Sequence, residues 1–499
     1  MNPQPFQNPP RSWPSLLSPR FIDRTARWRN RELHRQGIEQ IHTTGAENVR
    51  AAIQAGYGVL LVSNHSYHYD SYVLIEAGRR SGWYPHIMTA WQVFMMYHRL
   101  GRWFLQKHGC FSINREGNDT QAFRHSISVL ISGSHPLLIY PEGDIYHCND
   151  RVMPFREGAA AIALLASKKN QRPIVILPCA MKCFYSTDPT LELHAVMDRL
   201  EERIGWRPAR ERSLLDRIYR FGNGFLASKE VEYLGISRTG TIRERLTYLA
   251  NTILTQIRER HHLPAQGKDL PQKIRFLRIH LISLMSKLEH FCQSRRGLAS
   301  QHSAFHQAKP FRRRHRRDQT GLATSQGSPA QPTCSDRNQN DADVLKSSHV
   351  AKIQNTDSAE TDSGPIFSMH QLQIDMQDLF FVTQLSSYHG DYSAENPTIE
   401  RLAETIDKFE EDVFSLQAPT PRGKRIAHVH FGMPIELHDK TDTAAQLTQD
   451  LESAVQELLN SIRPPRDLLN EHAHRHWEAM IPNSSQANSD KPINPNDKI

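Results

Sequence analysis

The sequence predicts an α/β fold, a mostly parallel sheet flanked by helices, for residues 21–200. Two observations support this prediction. Runs of continuous apolar residues, typical of strands buried on both faces, occur at residues 58–63, 136–140 and 172–178. Longer segments with helical spacing of apolar residues lie between them. Strands that alternate with helices in this way indicate parallel strands joined by helices on the faces of the sheet.

The elements follow in order along the chain. A charged segment with a helical pattern comes first, at about residues 21–56. After it, strands are predicted where apolar runs end in a turn, and helices where apolar residues recur every three or four positions. The predicted strands are 58–64, 110–115, 136–143 and 172–182, and the predicted helices are 70–82, 91–109, 119–133 (capped by Asp119) and 155–169.

The second half of the chain has a different character. Residues 201–295 are charged and helical, and we expect them to form an insertion. Residues 296–364 carry too few large apolar residues to offset chain entropy, which predicts a disordered basic and polar linker. Order should return over 365–481, with helices, a strand near 424–437 and the helix 444–462. That strand and helix are expected to close the first domain, which would then be discontinuous. The Pro-rich residues 1–20 and the polar tail 482–499 are predicted to be disordered.

Composition limits the class of protein. Of 499 residues, 38% are hydrophobic and 23% charged, and no run approaches the roughly 18 to 20 apolar residues that a membrane span requires. Prolines interrupt the N-terminal segment where a signal peptide would have an apolar core, so we expect no export signal. The six cysteines include no CxxC pair, which favours reduced thiols. These features predict a cytoplasmic protein, and the net charge of +8 suits an anionic partner.

The segment NHSYHYD, residues 64–70, follows a predicted strand and precedes a helix. Ligands bind at the carboxyl ends of parallel strands. The spacing of His65 and Asp70 lets the carboxylate reach one imidazole nitrogen, while the other nitrogen could accept a proton from a hydroxyl. Alternatively, Asp70 simply caps the helix and His65 is a turn residue; for this pattern in isolation, that is the better interpretation.

Two further strand ends carry charged residues. GCFSINR places Arg115 after a strand, where a guanidinium can bind phosphate; YPEGD places Glu142 on a tight turn, where its carboxylate could accept hydrogen bonds from hydroxyls. Taken singly, a surface ion pair for Arg115 and an ordinary polar turn for Glu142 are the better interpretations.

In combination and in this order, the blocks NHSYHYD, GCFSINR, YPEGDIY and IVILP resemble the glycerolipid acyltransferase superfamily, which includes the lysophosphatidic acid acyltransferases. The match covers roughly residues 55–185. The resemblance implies an O-acyltransferase of the 1-acylglycerol-3-phosphate acyltransferase type. It would move a fatty acyl group from acyl-CoA or acyl-carrier-protein to a lysophospholipid or glycerol-phosphate acceptor, with no metal or other cofactor.

The resemblance also implies roles for particular residues. His65 would be the general base and Asp70 would orient it. Asn64, Arg115, Glu142 and Gly143 would form the substrate-binding set, with Arg115 on the phosphate of the acceptor. Pro178 would belong to a structural or acyl-site block.

Two departures from the family pattern concern the acceptor. Tyr140 stands where phenylalanine is usual, and Asp144-Ile145-Tyr146 stands where many members have Thr-Arg-Ser. The absent arginine would help to hold phosphate, so the acceptor is either unusual or lacks a phosphate.

Attachment to the cytoplasmic face of a membrane is expected to be peripheral. The segment 272–291 has an apolar stripe flanked by cations, as interfacial helices do, and the run KPFRRRHRR at 309–317 could attract anionic lipid. The alternatives are ordinary packing of that helix against the core and a solvated linker patch.

Two competing functions were weighed. A non-catalytic lipid-binding or membrane-surface scaffold on the same fold is disfavoured because His65, Asp70, Arg115 and Glu142 are all present. Nucleic-acid binding through 309–317 is disfavoured because the run has little aromatic interleaving beyond Phe305 and Phe311.

Overall fold

The computed structural model describes residue 9 and residues 11–296, 368–437 and 443–464, apart from residues 116, 118 and 389. Within these ranges, the residues up to Leu288 and from Met369 onward form one compact unit. The tail 482–499, the basic run 309–317 and the linker 296–364 after its first residue lie outside the described residues.

The predicted fold class is confirmed: eight strands of the described residues form one mostly parallel sheet flanked by helices. The strands are β1 (Ile38–Thr44), β2 (Gly58–Ser63), β3 (His86–Ala90), β4 (Cys110–Ile113), β5 (Leu137–Ile139), β6 (Ile174–Tyr185), β7 (Arg425–Phe431) and β8 (Ile435–Glu436). Their order across the sheet is β1-β7-β6-β2-β5-β3-β4, and β8 pairs with β6. The β6–β7 and β6–β8 pairs are antiparallel, while the other pairs are parallel.

Helices cover both faces of the sheet. The first group along the chain is α1 (Pro19–Arg24), α2 (Ala26–Arg35), α3 (Ala46–Gln54), α4 (Asp70–Arg80), α5 (Trp91–Met95), α6 (Arg99–Lys107), α7 (Thr120–Ser132) and α8 (Gly158–Ser167). The second group is α9 (Thr190–Arg203), α10 (Leu214–Leu234), α11 (Ile242–Arg260), α12 (Leu270–Arg296), α13 (Met369–Ser386), α14 (Tyr392–Glu395), α15 (Ile399–Phe414) and α16 (Ala444–Ser461). All six residues of β2 are buried because its side chains alternate between two cores: Val59 and Leu61 face one, and Leu60 and Val62 the other.

The sequence interpretation missed two strands. Residues 21–56 were predicted to be helical throughout, yet β1 lies between α2 and α3. β1 is an edge strand with mostly polar, partly exposed residues, so it lacks the apolar run that marks a buried strand. β3 was also missed, and the predicted helix 91–109 is divided into α5 and α6.

The late strand β7 lies inside the sheet, between β1 and β6. Helix α16 packs against β6 in the core that also holds α7 and α8. Between β6 and β7 along the chain, α9, α10 and α15 share a separate apolar core. The sheet that positions the polar strand ends is therefore assembled from both halves of the chain.

The apolar stripe of α12 is packed within the protein, which is the alternative of ordinary packing against the core. Leu277 and Leu281 are buried, so they are not available to a lipid surface. Within the described residues, no helix combines the length and the apolar character needed to cross a bilayer.

Candidate active site

His65 and Asp70 form a hydrogen-bonded pair at the end of β2. The strand ends at Ser63, residues 64–69 turn, and Asp70 begins α4. The Nδ1–H of His65 donates to Oδ2 of Asp70 over 2.9 Å. The Asp70 side chain is fully buried, whereas the His65 side chain is 17% exposed. Asp70 is thus fixed inside the protein, and His65 reaches the surface.

Asp70 also holds the turn in place. Its Oδ2 accepts hydrogen bonds from the backbone N–H groups of Ser66, at 2.7 Å, and Tyr67, at 2.9 Å. The sequence allowed two roles for Asp70, to orient His65 or to act as a structural capping residue. In the structure the same oxygen atom, Oδ2, makes the contacts of both roles. Since this oxygen is committed to donors, it fixes the His65 tautomer with its proton on Nδ1.

The other ring nitrogen of His65, Nε2, makes no hydrogen bond with any residue that the structure describes. The ring stacks on Tyr140, with 4.2 Å between centroids and 18° between planes. The Tyr140 hydroxyl lies 3.5 Å from the Ser71 hydroxyl. One face of the His65 ring packs on Tyr140, and Nδ1 is bonded to Asp70. Nε2 is therefore the ring nitrogen left to accept a proton.

Asn64 was predicted to contact substrate, but its side chain is fully buried. The Nδ2 group donates to the carbonyl of Met181, at 2.9 Å, and to Ser66 Oγ, at 3.1 Å, while Oδ1 accepts from the Met181 N–H at 2.8 Å. The amide therefore fastens the turn to β6 and does not face an acceptor.

Glu142 is a second correction, because it is buried with 3% of its surface exposed. Its Oε1 accepts the backbone N–H of His65 over 3.1 Å. Burial raises the pKa of Glu142 well above its usual range, opposed by hydrogen bonds from the N–H groups of His65 and Met153. In this structure Glu142 supports the residue that carries the base.

Gly143 forms the turn after Glu142 with φ +78°, a conformation that side chains rarely adopt. Its carbonyl accepts a hydrogen bond from Nη1 of Arg115. A Cβ atom at this position would lie 2.6 Å from Nε of Arg156. The absence of a side chain at Gly143 therefore lets the Arg156 guanidinium approach the turn closely.

Arg115 also pairs with Asp144, with 3.5 Å between Nη1 and Oδ1. Burial raises the pKa of Asp144, but the guanidinium groups of Arg115, Arg156 and Arg278 lower it further, so the carboxylate stays ionised. We call Arg115, Asp144, Arg156 and Arg278 the Asp144 cluster. Three positive charges around one negative charge leave the cluster with a net positive charge.

Sequence reasoning missed part of this cluster. Asp144 was noted only as a departure, and Arg156 lies in the predicted helix 155–169, where it was given no role. Arg278, on α12, also donates to Thr383 over 2.8 Å. Arg278 comes near Asp144 only in the folded chain. The sequence around Asp144 therefore does not indicate its contribution.

A buried carboxylate lies behind the turn. Glu404 of α15 accepts hydrogen bonds from the hydroxyls of Tyr67 and Tyr392, each at 2.7 Å, and from the Asn149 N–H at 3.1 Å. Burial and the nearby Asp150 raise its pKa to about 8, against the hydrogen bonds that lower it. The His65 turn, residues 64–70, is thus tied to the helical region as well as to the sheet.

One comparison with known proteins gave a match. Residues 40–182 match the family model described as Acyltransferase, a range that contains His65, Asp70, Arg115 and the Asp144 turn. The search of curated proteins returned no match. Residues 40–182 are therefore similar to the acyltransferase family, which supports acyltransferase activity in general.

Proposed function

We propose that the protein transfers a fatty acyl group from acyl-CoA or acyl-carrier-protein to a hydroxyl of a lysophospholipid or glycerol-phosphate acceptor. The observation that carries the proposal is the His65–Asp70 pair at the end of β2, inside the segment that matches the acyltransferase family. An imidazole with its tautomer fixed by a buried carboxylate is suited to general base catalysis.

In the proposed reaction, Nε2 of His65 takes the proton of the acceptor hydroxyl as its oxygen attacks the carbonyl carbon of the thioester. The C–S bond then breaks, and the imidazolium returns the proton to the departing thiolate. Asp70, which accepts the Nδ1–H at 2.9 Å, stabilises the charged ring between these two steps.

The Asp144 cluster favours an acceptor with a phosphate. The family arginine expected after Gly143 is replaced by Ile145, but Arg156 lies against Gly143 and Arg278 acts on Asp144. Guanidinium groups bind phosphate oxygens with paired hydrogen bonds. Asp144 competes with the phosphate for Arg115, so we expect weaker phosphate binding than three unopposed arginines would give.

We also propose peripheral binding to the cytoplasmic face of a membrane, through α2, α5 and α6. Leu100 is 81% exposed, and Trp28, Met96, Tyr97 and Trp103 are also exposed around it. Trp28 contacts Phe104 of α6 and Tyr72 of α4, with ring centroids at 4.8 and 5.9 Å, so the surface is continuous from α2 to the helix that follows the His65 turn. Exposed aromatic and aliphatic side chains insert at lipid headgroups.

Co-sedimentation with vesicles that contain anionic lipid tests this surface. We expect Leu100→Glu to reduce binding several-fold. Leu191→Glu, which changes an 85% exposed leucine on α9, is the matched control and should bind as the unaltered protein does. Equal loss in both variants, or no loss in either, would contradict the proposed surface.

Acyl transfer itself is tested with a panel of lysolipids and acyl donors, reading the products by mass. Wild type and His34→Ala, which alters an exposed histidine on α2, should form product on phosphorylated acceptors. His65→Ala should lose about 10²- to 10⁴-fold in rate, the usual contribution of a general base. Full transfer by His65→Ala would refute the mechanism. Binding of lysolipid without transfer by the wild type would instead favour the scaffold.

A further inference from the structure

His68, His147 and Glu411 form a second cluster of polar groups, which shares no residue with the Asp144 cluster. His68 belongs to the turn itself, His147 follows the Gly143 turn, and Glu411 lies on α15. The sequence shows no sign of this cluster, because Glu411 is 264 residues from His147 and 343 from His68.

The ligand atoms converge on one small volume. Oε1 of Glu411 lies 2.8 Å from Nε2 of His68 and 3.1 Å from Nε2 of His147. One ligand atom from each residue lies within 4.8 Å of the other two, and no other group of three such residues does so in the described parts of the chain. Around a tetrahedral zinc ion with bonds of 2.0–2.1 Å, ligand atoms are about 3.3 Å apart, so small side-chain movements would give that geometry.

The three residues differ in exposure in a way that suits an ion site. The side chains of His147 and Glu411 are each 1% exposed, whereas His68 is 33% exposed and opens the cluster to solvent. His68 and His147 also line a small cleft, next to Asp407 and Arg425. The cleft offers a route from solvent to the cluster.

His147 is held in an unusual state. Its backbone has φ +51°, which side-chain-bearing residues seldom adopt. Its Nδ1 is buried and has no hydrogen-bond partner among the described residues.

Glu411 supplies the carboxylate of the cluster, and its Oε1 lies within hydrogen-bond distance of both imidazoles. Lys408, one turn earlier on α15, donates its ammonium group to the carbonyl of Ser387. Two imidazoles and a carboxylate with an open fourth position form a donor set that suits zinc.

We propose that His68, His147 and Glu411 bind one divalent transition-metal ion, of which Zn²⁺ is the best match. The ion would join the His65 turn to α15 and thereby fix the backbone between His65 and Asp70. Its role is positioning, because the reaction proposed above needs no metal. Ion binding does not rest on that proposed function, whereas any effect of the ion on acyl transfer does.

The test is the zinc content and thermal stability of the full chain. The protein is stripped with EDTA, incubated with ZnCl₂ and dialysed against a weak chelator to release zinc from surface histidines. We expect one tightly bound ion in wild type and in His34→Ala, and a higher Tm with zinc than without it. His68→Ala, at the most exposed ligand, should bind at least about tenfold more weakly, since even outer-shell changes weaken sites by that much.

Glu411→Gln is the second variant, because it keeps the volume of the buried side chain and removes its charge. Cobalt(II) absorption in the visible range provides an independent signal of tetrahedral coordination in the wild type. Equal zinc content in wild type, His68→Ala and Glu411→Gln, or an equal rise in Tm with zinc in all three, would overturn the site. Both readouts are made without substrate, so failure here leaves the acyl transfer proposal untouched, and the reverse also holds.

Discussion

The His65 turn and the Asp144 cluster lie close together in the fold, yet they are built in opposite ways. The turn takes its base, its orienting carboxylate and the bonded backbone groups from residues 64–70. The Asp144 cluster collects its side chains from the loop after β4, the Gly143 turn, the start of α8 and the distant helix α12. The catalytic pair of the turn comes from one short segment, whereas the Asp144 cluster changes whenever one of its four elements changes.

The largest effect is expected inside the turn. Asp70→Asn removes the charge that stabilises the protonated ring and disturbs its tautomer, so kcat should fall about 10²- to 10⁴-fold with little change in KM. Steady-state kinetics on the best acceptor provide the measurement. Asp23→Asn, which alters an exposed aspartate that binds Tyr84, should behave as wild type. An Asp70→Asn enzyme with normal kcat would reduce Asp70 to a capping residue.

A smaller effect is expected in the Asp144 cluster. Arg156→Gln removes one guanidinium and should raise KM for a phosphorylated acceptor about tenfold, the value of one charged hydrogen bond, while kcat and the KM of the donor stay close to wild type. Asp144→Asn should act in the opposite direction, because it releases Arg115. The matched control is Arg35→Gln, at a 65% exposed arginine on α2. If both cluster variants leave KM unchanged, the acceptor does not bind there.

The smallest effect on catalysis is expected at the link between the turn and α15, where the predicted change is in stability. The pKa of Glu404 is raised to about 8, above its value in the unfolded chain, so the native state holds this proton between about pH 4.5 and 8 and stability falls as pH rises through that window. The slope is at most about 1.4 kcal/mol per pH unit for one proton. Glu404→Gln should flatten the dependence of unfolding free energy on pH. An unchanged profile would mean that Glu404 is ionised throughout.

The same contrast explains what could be predicted from the sequence. Continuous apolar runs predicted β2, β5 and β6 because those strands are buried on both faces. The pairing of His65 with Asp70 was predicted because both residues lie in one turn. β1 was missed because an edge strand can be polar, and β3 because its short run adjoins a helical pattern.

At the site, burial and long-range contacts limit what can be predicted from the sequence. Asn64 and Glu142 were assigned to substrate because family position was the available guide, but their atoms are occupied by Met181 and by the His65 backbone. Whether a polar side chain points at solvent or at a neighbouring strand depends on elements far along the chain. The contribution of Arg278 to the Asp144 cluster is unpredictable for the same reason.

The position of β7 has a consequence for how the protein is made. β7 lies between β1 and β6, and 237 residues separate Thr187, just after β6, from Lys424, just before β7. At 5–20 residues per second, the ribosome needs roughly ten to fifty seconds to make that interval. During this time one edge of β6 and the whole of β1 lack their partner, and such open edges invite pairing with other chains. The nascent protein is therefore most vulnerable to aggregation, and most dependent on chaperones, until β7 emerges.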